Sequence, residues 1–295
     1  MSVVIDENTR LVVQGITGRE GMFHTERMLA YGTNVVAGVT PGKGGQTVCG
    51  VPVFDTAKEA AEITGANASI IFVPAKYTPG GVREAIDAGL PVVITIAEHV
   101  PVHDMMVCHH LAKAKGVRLF GPNSFGIISP GKAKAGFMAH EIFRRGNVGI
   151  MSRSATNCYE TVNLMSLAGL GQSTCIGVGG DMVPGSSFAD LLGDFEDDPE
   201  TRALVLIGEI GGSDEEQAAA YILTGKFTKP VVAFIAGKNS PKDTSMGHAG
   251  AIVSSDGAGS AENKEKALRE AGCHIAENTQ EIVERVWSLE CGVWS

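Results

Sequence analysis

The sequence predicts an α/β fold made of two successive domains, each with a parallel sheet covered by helices. Short apolar runs alternate with helix-like stretches along most of the 295 residues, and strands that alternate with helices form parallel sheets with helices on both faces. This alternation is interrupted once, between Gly121 and Asn147. Glycine is frequent, at 38 residues, while aromatic residues make up only 6%, a composition that suits many tight strand-to-helix turns.

The first half contains five apolar runs that we expect to be strands: Arg10–Gln14, Val35–Val39, Ser69–Val73, Val92–Ile96 and Arg118–Phe120. Between them we expect an amphipathic helix that ends at Tyr31 and the helices Ala57–Thr64, Thr78–Ala88 and Asp104–Lys115. Six strand–helix repeats of this kind would fill about 120 residues, the length of this half. We therefore expect a Rossmann-like domain at residues 1–122.

The interrupting segment carries Pro122, Pro130 and several glycines, and we interpret residues 123–147 as a linker with a small irregular excursion. The alternation then resumes and predicts a flavodoxin-like domain at residues 148–288, followed by a tail at 289–295. Its expected strands are Val148–Met151, Ser173–Val178, Ala203–Ile207, Val231–Ala236 and Cys273–Ala276. Its expected helices are Thr156–Ala168, Ser187–Glu196, Ser213–Thr224, Ala261–Ala271 and Thr279–Trp287.

Composition narrows the function classes. A net charge of −9 and the lack of a Lys/Arg-rich run argue against a nucleic-acid partner. No apolar run approaches the ~20 residues of a membrane span, and no signal peptide is evident. We therefore expect the protein to be located in the cytoplasm or in an equivalent reducing compartment. The cysteines form no metal-ligand spacing and are expected to be reduced: Cys49, Cys108, Cys158, Cys175, Cys273 and Cys291. We expect no metal site in this chain.

A glycine-rich loop opens the first expected helix, with Gly15, Gly18 and Gly21 spaced as G-x-x-G-x-x-G. Backbone N–H groups at a helix N-terminus bind anions, so a phosphate is the expected ligand. After the second strand stands Lys43, where NAD-binding domains place a carboxylate. A lysine attracts a phosphorylated ribose, as in coenzyme A or NADP; the alternative is a tight turn that binds nothing.

In the second half, polar residues follow three expected strands: Ser152-Arg153-Ser154, Glu209 between glycines, and a loop with His248 between small residues. The carboxyl ends of parallel strands meet at one edge, where such folds bind ligands. Glu209 is therefore expected to orient the His248 imidazole beside an anion site, an arrangement that indicates a phosphohistidine. The alternatives are a turn histidine without chemistry and a solvated surface acid.

Several motifs together resemble the alpha subunit of succinyl-CoA synthetase, a nucleoside-diphosphate-forming acid–CoA ligase. The resemblance runs from Ile5 to about Val286. It is carried by the segments Gln14–Gly18, Gly38–Gly45, Gly121–Asn123, Ser152–Ser154, Gly171–Cys175, Gly179–Asp181, Ile207–Gly212 and Met246–Ile252.

The resemblance implies roles for named residues. His248 would carry the phosphoryl group with Glu209 as its hydrogen-bond partner, and the acid and phosphate would lie near Asn123, Ser124, Ser154, Ala155 and Tyr159. Coenzyme A would be held by Thr17, Gly18, Arg19, Glu20, Lys43, Ile96, Ala97 and Glu98. A separate beta subunit would hold ATP or GTP with Mg²⁺, because this chain has no Walker-type loop. The expected partners are that beta subunit, in an αβ or α₂β₂ assembly, and a small carboxylic acid.

The sequence departs from the family pattern near the expected acyl site. The usual Gly-Pro-Asn-Cys-Pro-Gly is here Gly121–Gly126 with Ser124 and Phe125, the usual Gly-Thr-Leu-Thr is Ala155–Cys158, and a usual Thr is Ala97. Neutral drift with compensating changes in the beta subunit is one explanation. The other, which the sequence favours, is an acid other than succinate, such as malate or sulfoacetate. Rival functions are an NADP-dependent oxidoreductase and a non-catalytic coenzyme-A-binding subunit.

Overall fold

A computed structural model describes residues 2–241, 247–254 and 257–291. The Lys242–Met246 part of the predicted histidine loop and residues 292–295 of the predicted tail lie outside these ranges. Among the described residues, no helix is both long and apolar enough to cross a membrane.

The first half begins with strand β1 (Leu11–Gln14) and helix α1 (Arg19–Tyr31). The remaining elements are β2 (Val35–Val39), β3 (Thr47–Val48), β4 (Val51–Phe54), α2 (Ala57–Thr64), β5 (Ala68–Ile71), α3 (Thr78–Asp87), β6 (Val92–Thr95), α4 (Val102–Lys115) and β7 (Arg118–Phe120). Within the described ranges, these strands form a seven-stranded sheet in the order β3-β4-β2-β1-β5-β6-β7. Apart from β3, which pairs antiparallel with β4, all its strands are parallel. Their order is that of a Rossmann-like domain, as the sequence predicts.

The second half begins with β8 (Gly126–Ser129) and β9 (Ala133–Gly136). The remaining elements are β10 (Arg145–Ser152), α5 (Ala155–Leu167), β11 (Gln172–Gly177), α6 (Phe188–Asp197), β12 (Ala203–Glu209), α7 (Asp214–Leu223), β13 (Val231–Ala236), α8 (Ala261–Glu270), β14 (His274–Ile275) and α9 (Thr279–Cys291). In the described chain, the second sheet has the order β14-β13-β12-β10-β11-β8-β9. The five strands β11, β10, β12, β13 and β14 are parallel neighbours in this order, which is the flavodoxin-like order.

The structure differs from the sequence prediction between residues 123 and 147. Instead of an irregular excursion, β8 and β9 form an antiparallel hairpin that extends the second sheet beside β11. The turn at Pro130-Gly131 connects the strands, and Gly126 pairs with Gly136 where the two backbones approach closely. A Cβ at Gly126 would lie 2.1 Å from the Ala135 carbonyl oxygen, so glycine here marks close packing within a strand. The domain limits at 122 and 148 stay a prediction.

The core follows from strand composition. All residues of β1 and β12 are buried, because both faces of a parallel sheet are covered by helices and its strands are continuously apolar. The short strands β3 and β4 were not predicted, because their residues show no alternation long enough to indicate a strand. The two sheets therefore bring two sets of strand ends to the surface, and each set carries predicted site residues.

Candidate active site

The residues predicted to bind coenzyme A lie at one edge of the first sheet. They follow the carboxyl ends of β1, β2 and β6, the edge at which such sheets bind ligands. The strand order reverses between β1 and β5, so the loop after β1 lies at the crevice that this reversal creates. The residues are Thr17, Gly18, Arg19 and Glu20 after β1, Lys43 after β2, and Ile96, Ala97 and Glu98 after β6.

The glycine loop offers space and N–H groups to a phosphate. Gly15 has a φ of +79°, and a Cβ at Gly21 would lie 2.1 Å from the Gly15 carbonyl oxygen. Both positions therefore require glycine. Helix α1 begins after Gly18, which has no side chain to cap the helix, so the first N–H groups of α1 are available to an anion. Arg19 and Lys43 are exposed at the same edge, so their positive charges are available to an anion; that the anion is a phosphate of coenzyme A stays a prediction.

The segment after β7 connects this edge to the second sheet. Asn123 donates its backbone N–H to the Ala97 carbonyl oxygen at 2.9 Å and accepts the Gly180 N–H at 3.2 Å. Gly180 in turn leaves room for the imidazole of His248, because a Cβ at Gly180 would lie 2.5 Å from His248 Nδ1. One continuous set of contacts thus leads from the predicted coenzyme A edge to the predicted phosphohistidine.

The second sheet brings His248 and Glu209 into direct contact. Glu209 ends β12, and His248 lies in the loop after β13. His248 Nδ1 donates a hydrogen bond to Glu209 Oε2 at 2.6 Å. The strand order of this sheet reverses between β10 and β12, so the pair lies beside the crevice where a ligand is expected. The structure contains the Glu209–His248 hydrogen bond that the sequence predicts.

The charges around His248 set its protonation. The hydrogen bond that His248 donates to Glu209 raises the pKa of His248 above its ordinary value of 6.5, against the opposing effects of burial and the Arg153 guanidinium. Glu209 itself is only 5% exposed, and a carboxylate with so little contact with water requires a compensating charge. That charge is Arg153, whose Nε donates to Glu209 Oε1 at 2.9 Å.

Ser154, Glu209 and His248 line one pocket of about 290 Å³. Ser154 caps helix α5, and its Oγ accepts the Asn157 N–H at 3.3 Å. Asn157 and Ser240 also line the pocket, and the sequence analysis did not single them out. A phosphoryl group on His248 would therefore meet the N-terminus of a 13-residue helix, where the helix dipole favours an anion.

Other predicted site residues are placed differently. Ser124 is 1% exposed, and its Oγ donates to the Gly177 carbonyl oxygen at 2.6 Å and accepts the Gly126 N–H at 2.9 Å. The Tyr159 ring packs against Phe125 with their centroids 5.8 Å apart, and burial raises the pKa of its phenol. As the structure describes it, the His248 pocket is not lined by Ser124, Ala155 or Tyr159. Their contact with the acid stays a prediction.

Behind Glu209 lies a network of buried charges that was not predicted from the sequence. The Glu209 N–H donates to Glu215 Oε1 at 3.0 Å, and Glu215 also pairs with Lys264, both side chains being fully buried. Arg153 Nη1 donates to Asp214 Oδ2 at 2.7 Å. The available signals were the Ser152–Ser154 motif and the acidic run that opens α7, but both fit a solvated helix end equally well.

Within the described residues, no group of three or more His, Cys, Asp or Glu side chains is arranged to hold a metal ion. A Rossmann-like domain with a glycine-rich loop is followed by a flavodoxin-like domain with an oriented histidine, and both domains match families of coenzyme A enzymes. Residues 6–99 match the CoA binding domain family, and residues 151–281 match the CoA-ligase family.

The chain is 52% identical to succinate–CoA ligase [ADP-forming] subunit alpha 2 of Archaeoglobus fulgidus over 97% of this chain and 99% of that one. It is 50% identical to the alpha subunit of the same ligase from Aquifex aeolicus over 97% of this chain and 94% of that one. The chain therefore belongs to the family of ADP-forming succinate–CoA ligase alpha subunits, and its activity class is that of an acid–CoA ligase. These findings favour that class over an NADP-dependent oxidoreductase or a non-catalytic subunit.

A solved structure shares the whole architecture. ATP citrate lyase from Methanothrix soehngenii, in complex with citrate and coenzyme A, superimposes with a TM-score of 0.88 at 26% identity. The match covers 99% of this chain and 52% of that one, so the chain spans about half the length of the lyase chain.

Proposed function

We propose that this chain is the phosphoryl-carrying subunit of an acid–CoA ligase and that His248 is the carrier. The observation that supports this proposal most is the 2.6 Å hydrogen bond from His248 Nδ1 to Glu209, in a pocket at the switch point of the second sheet. This bond fixes the proton on Nδ1, so the lone pair of the neutral ring is on Nε2. We therefore assign the nucleophile to Nε2.

The reaction then has three transfers. Nε2 attacks the γ-phosphorus of a nucleoside triphosphate, an N–P bond forms, and the P–O bond to the departing nucleoside diphosphate breaks. A carboxylate oxygen of the acid next attacks the same phosphorus, which breaks the N–P bond and yields an acyl phosphate. The thiolate of coenzyme A finally attacks the acyl carbon, inorganic phosphate leaves, and the thiol proton is released to solvent.

The chain's own residues contribute orientation and electrostatics to these steps. Glu209 stabilises the positive charge that develops on the imidazole as the N–P bond forms. The N-terminus of α5 at Ser154 offers N–H groups to the transferred phosphoryl oxygens. Residues Thr17–Glu20 and Lys43 would hold the phosphate groups of coenzyme A, while Ile96–Glu98 would line the same ligand.

A separate beta subunit would supply the nucleotide and Mg²⁺, since the relatives are named as alpha subunits. Co-expression of the two chains followed by light scattering after gel filtration distinguishes one copy of each from two. Elution of this chain alone, with no copurifying beta subunit, would contradict the assignment. We also propose a reducing compartment such as the cytoplasm, because the cysteines in the sequence form no CxxC pair or metal-ligand spacing.

The central test is phosphorylation of the complex with γ-labelled ATP or GTP. We expect label that acid removes and base does not, because phosphohistidine has this stability. Label should be lost in His248→Ala and kept in His103→Ala, an exposed histidine on α4 that serves as the matched control. No label in the intact complex with either nucleotide, or equal label in the two variants, would overturn the proposal.

We further propose that the acid is small and carries a second anionic group, as succinate, malate and sulfoacetate do. The substrate in the relatives' names supports this class. The sequence departures at Ser124 and Phe125 concern buried side chains that bond to backbone or pack against Tyr159, and in the described part of the structure neither side chain lines the His248 pocket. A panel of acids should give the highest kcat/KM with one of these three. A higher value with acetate or propionate would contradict the class.

A further inference from the structure

Arg153 contacts the Glu209 carboxylate through the oxygen that His248 does not use. Its Nε donates to Glu209 Oε1 at 2.9 Å, while His248 Nδ1 donates to the other oxygen at 2.6 Å. The guanidinium is only 6% exposed. The Glu209 carboxylate is therefore held between two donors, one of which is the predicted phosphoryl carrier.

The guanidinium is itself fixed by two further elements. Nη1 donates to Asp214 Oδ2 at 2.7 Å at the start of α7, and Nη2 donates to the Asp181 carbonyl oxygen at 3.3 Å after β11. A Cβ at Gly250 would lie 3.1 Å from Nη2, so the guanidinium group also packs against the loop that carries His248. Three donors in a rigid plane are needed to reach three elements at once, and a lysine has a single nitrogen.

We propose that Arg153 is a positioning residue for phosphoryl transfer: it fixes Glu209 in the orientation and charge state that direct His248. This inference rests on the proposed phosphohistidine at His248. Without the guanidinium, the Glu209 carboxylate would lose the partner of one oxygen and the positive charge that compensates its burial. It could then rotate or take up a proton, and His248 Nδ1 would no longer have a fixed acceptor.

The charged groups that face His248 come from several elements. Glu209 at the end of β12 and Asp181 after β11 favour the imidazolium, while Arg153 after β10 disfavours it. Asp214 and Glu215 on α7 lie behind Arg153 and support its charge, and Lys264 on α8 pairs with Glu215. Arg153 is the cation among these groups that acts on His248, so its removal changes the pH range in which the imidazole is neutral.

The test compares wild-type complex with Arg153→Gln, Arg153→Lys and the control Arg144→Gln, an exposed arginine. The first measurement follows phosphorylation rate against pH. Because the nucleophile is the neutral imidazole, the rate falls at acid pH. If Arg153 holds Glu209 in place, its removal in Arg153→Gln should move that fall to lower pH, because the displaced carboxylate no longer raises the pKa of His248. A move to higher pH would show only the loss of a nearby positive charge and would contradict the proposal. Arg153→Lys should keep the wild-type midpoint but lower the plateau about ten- to hundredfold, and Arg144→Gln should match the wild type.

The second measurement is an NMR titration of labelled His248 in the same variants, which needs no catalysis. We expect its midpoint to move in the same direction as the rate profile. A uniform loss of rate in Arg153→Gln with both midpoints unchanged would show a merely structural role and overturn the inference. If the wild type is not phosphorylated, the proposed function fails, while the titration still decides whether Arg153 controls His248.

Rescue separates positioning from misfolding. Arg153→Ala leaves a space that guanidinium ion can enter, and added guanidinium should restore phosphorylation at least tenfold where the same concentration of sodium chloride does not. Equal responses to the two salts would contradict the proposal. Thermal unfolding of each variant, measured alongside, identifies any variant that fails to fold, and Arg153→Lys then carries the test.

Discussion

Substituting Lys264 by methionine tests whether the buried charges behind Glu209 are needed for the fold of the second domain. Lys264 and Glu215 are paired with both side chains 0% exposed. Lys264 Nζ also donates to the Gly212 carbonyl oxygen at 3.2 Å and to Glu216 Oε2 at 3.1 Å. Methionine has a similar length and fills the same space, so the substitution removes the charge and leaves the Glu215 carboxylate buried without its main partner.

The expected loss of stability is large. Removing one member of a buried ion pair costs about 3–5 kcal/mol, because the remaining charge is uncompensated. The Arg153 guanidinium also attracts the Glu215 carboxylate, which places the estimate at the lower end of this range. At about 2–4 °C of Tm for each kcal/mol in a domain of this size, Lys264→Met should unfold roughly 6–12 °C below the wild type.

The pH dependence has a definite sign. Burial already raises the pKa of Glu215 despite Lys264 and Arg153, and loss of Lys264 raises it further. A carboxyl group whose folded pKa exceeds its unfolded value destabilises the fold above that unfolded value, and protonation relieves the cost as the pH falls. The difference between variant and wild type should therefore be greatest at pH 8 and smaller at pH 5.5.

The assay is urea and thermal unfolding of the purified chain, followed by circular dichroism. Lys264→Met/Glu215→Gln should recover most of the loss, since glutamine keeps an oxygen for the Glu209 N–H without the charge. Lys266→Met, at a lysine with a side chain 75% exposed, is the matched control and should change stability by about 0.5 kcal/mol or less. A loss below about 1 kcal/mol in Lys264→Met, or a double variant no more stable than the single one, would show that the buried pair is not needed for the fold.

Three further predictions concern the site. Glu209→Gln should lower the rate of His248 phosphorylation about 10²- to 10⁴-fold. The fall of that rate at acid pH should move to lower pH, since Glu209 is the main cause of the raised pKa of His248. An unchanged pH of this fall, measured by labelling from pH 5 to 9, would contradict the prediction. Gly180→Ala should displace the imidazole, because the new Cβ would lie 2.5 Å from Nδ1, and reduce labelling about 10²-fold; wild-type labelling would exclude the contact. Lys43→Gln should raise the KM for coenzyme A about ten- to hundredfold and leave histidine labelling unchanged. Substitution of the exposed Lys58 by glutamine should alter neither quantity. A loss of labelling in Lys43→Gln would place Lys43 outside the coenzyme A site.

The linkage of His248 to stability follows from the same hydrogen bond. Its folded pKa is raised above 6.5, so the stabilisation from the His248–Glu209 pair is fully present below the unfolded pKa. It is lost as the pH rises through the folded pKa. The reaction uses the neutral imidazole, which predominates above the folded pKa of His248. Phosphorylation is therefore favoured above this pKa, whereas the His248–Glu209 pair stabilises the fold below it.

Residue types along the chain were enough to predict the two-domain α/β fold and to identify the residues at the strand ends. Buried parallel strands are continuously apolar, and the helices between them are amphipathic, so the alternation is visible in residue types alone. The glycines of the phosphate loop are equally readable, because only glycine allows the backbone approach at Gly21. Glu209 and His248 could be paired in advance because the carboxyl ends of parallel strands share one edge.

The tertiary structure alone decided which of those residues touch. The hairpin β8–β9 reads as an irregular segment because its glycines look like breaks in the chain, whereas they are close backbone contacts across two strands. Ser124 reads as a candidate for the acid site but is turned into backbone hydrogen bonds. Arg153, Asp214, Glu215 and Lys264 look like ordinary surface charges in sequence, because a charge carries no local mark of burial. They form one network only where β10, β12, α7 and α8 converge, since the partner that compensates each charge lies far along the chain.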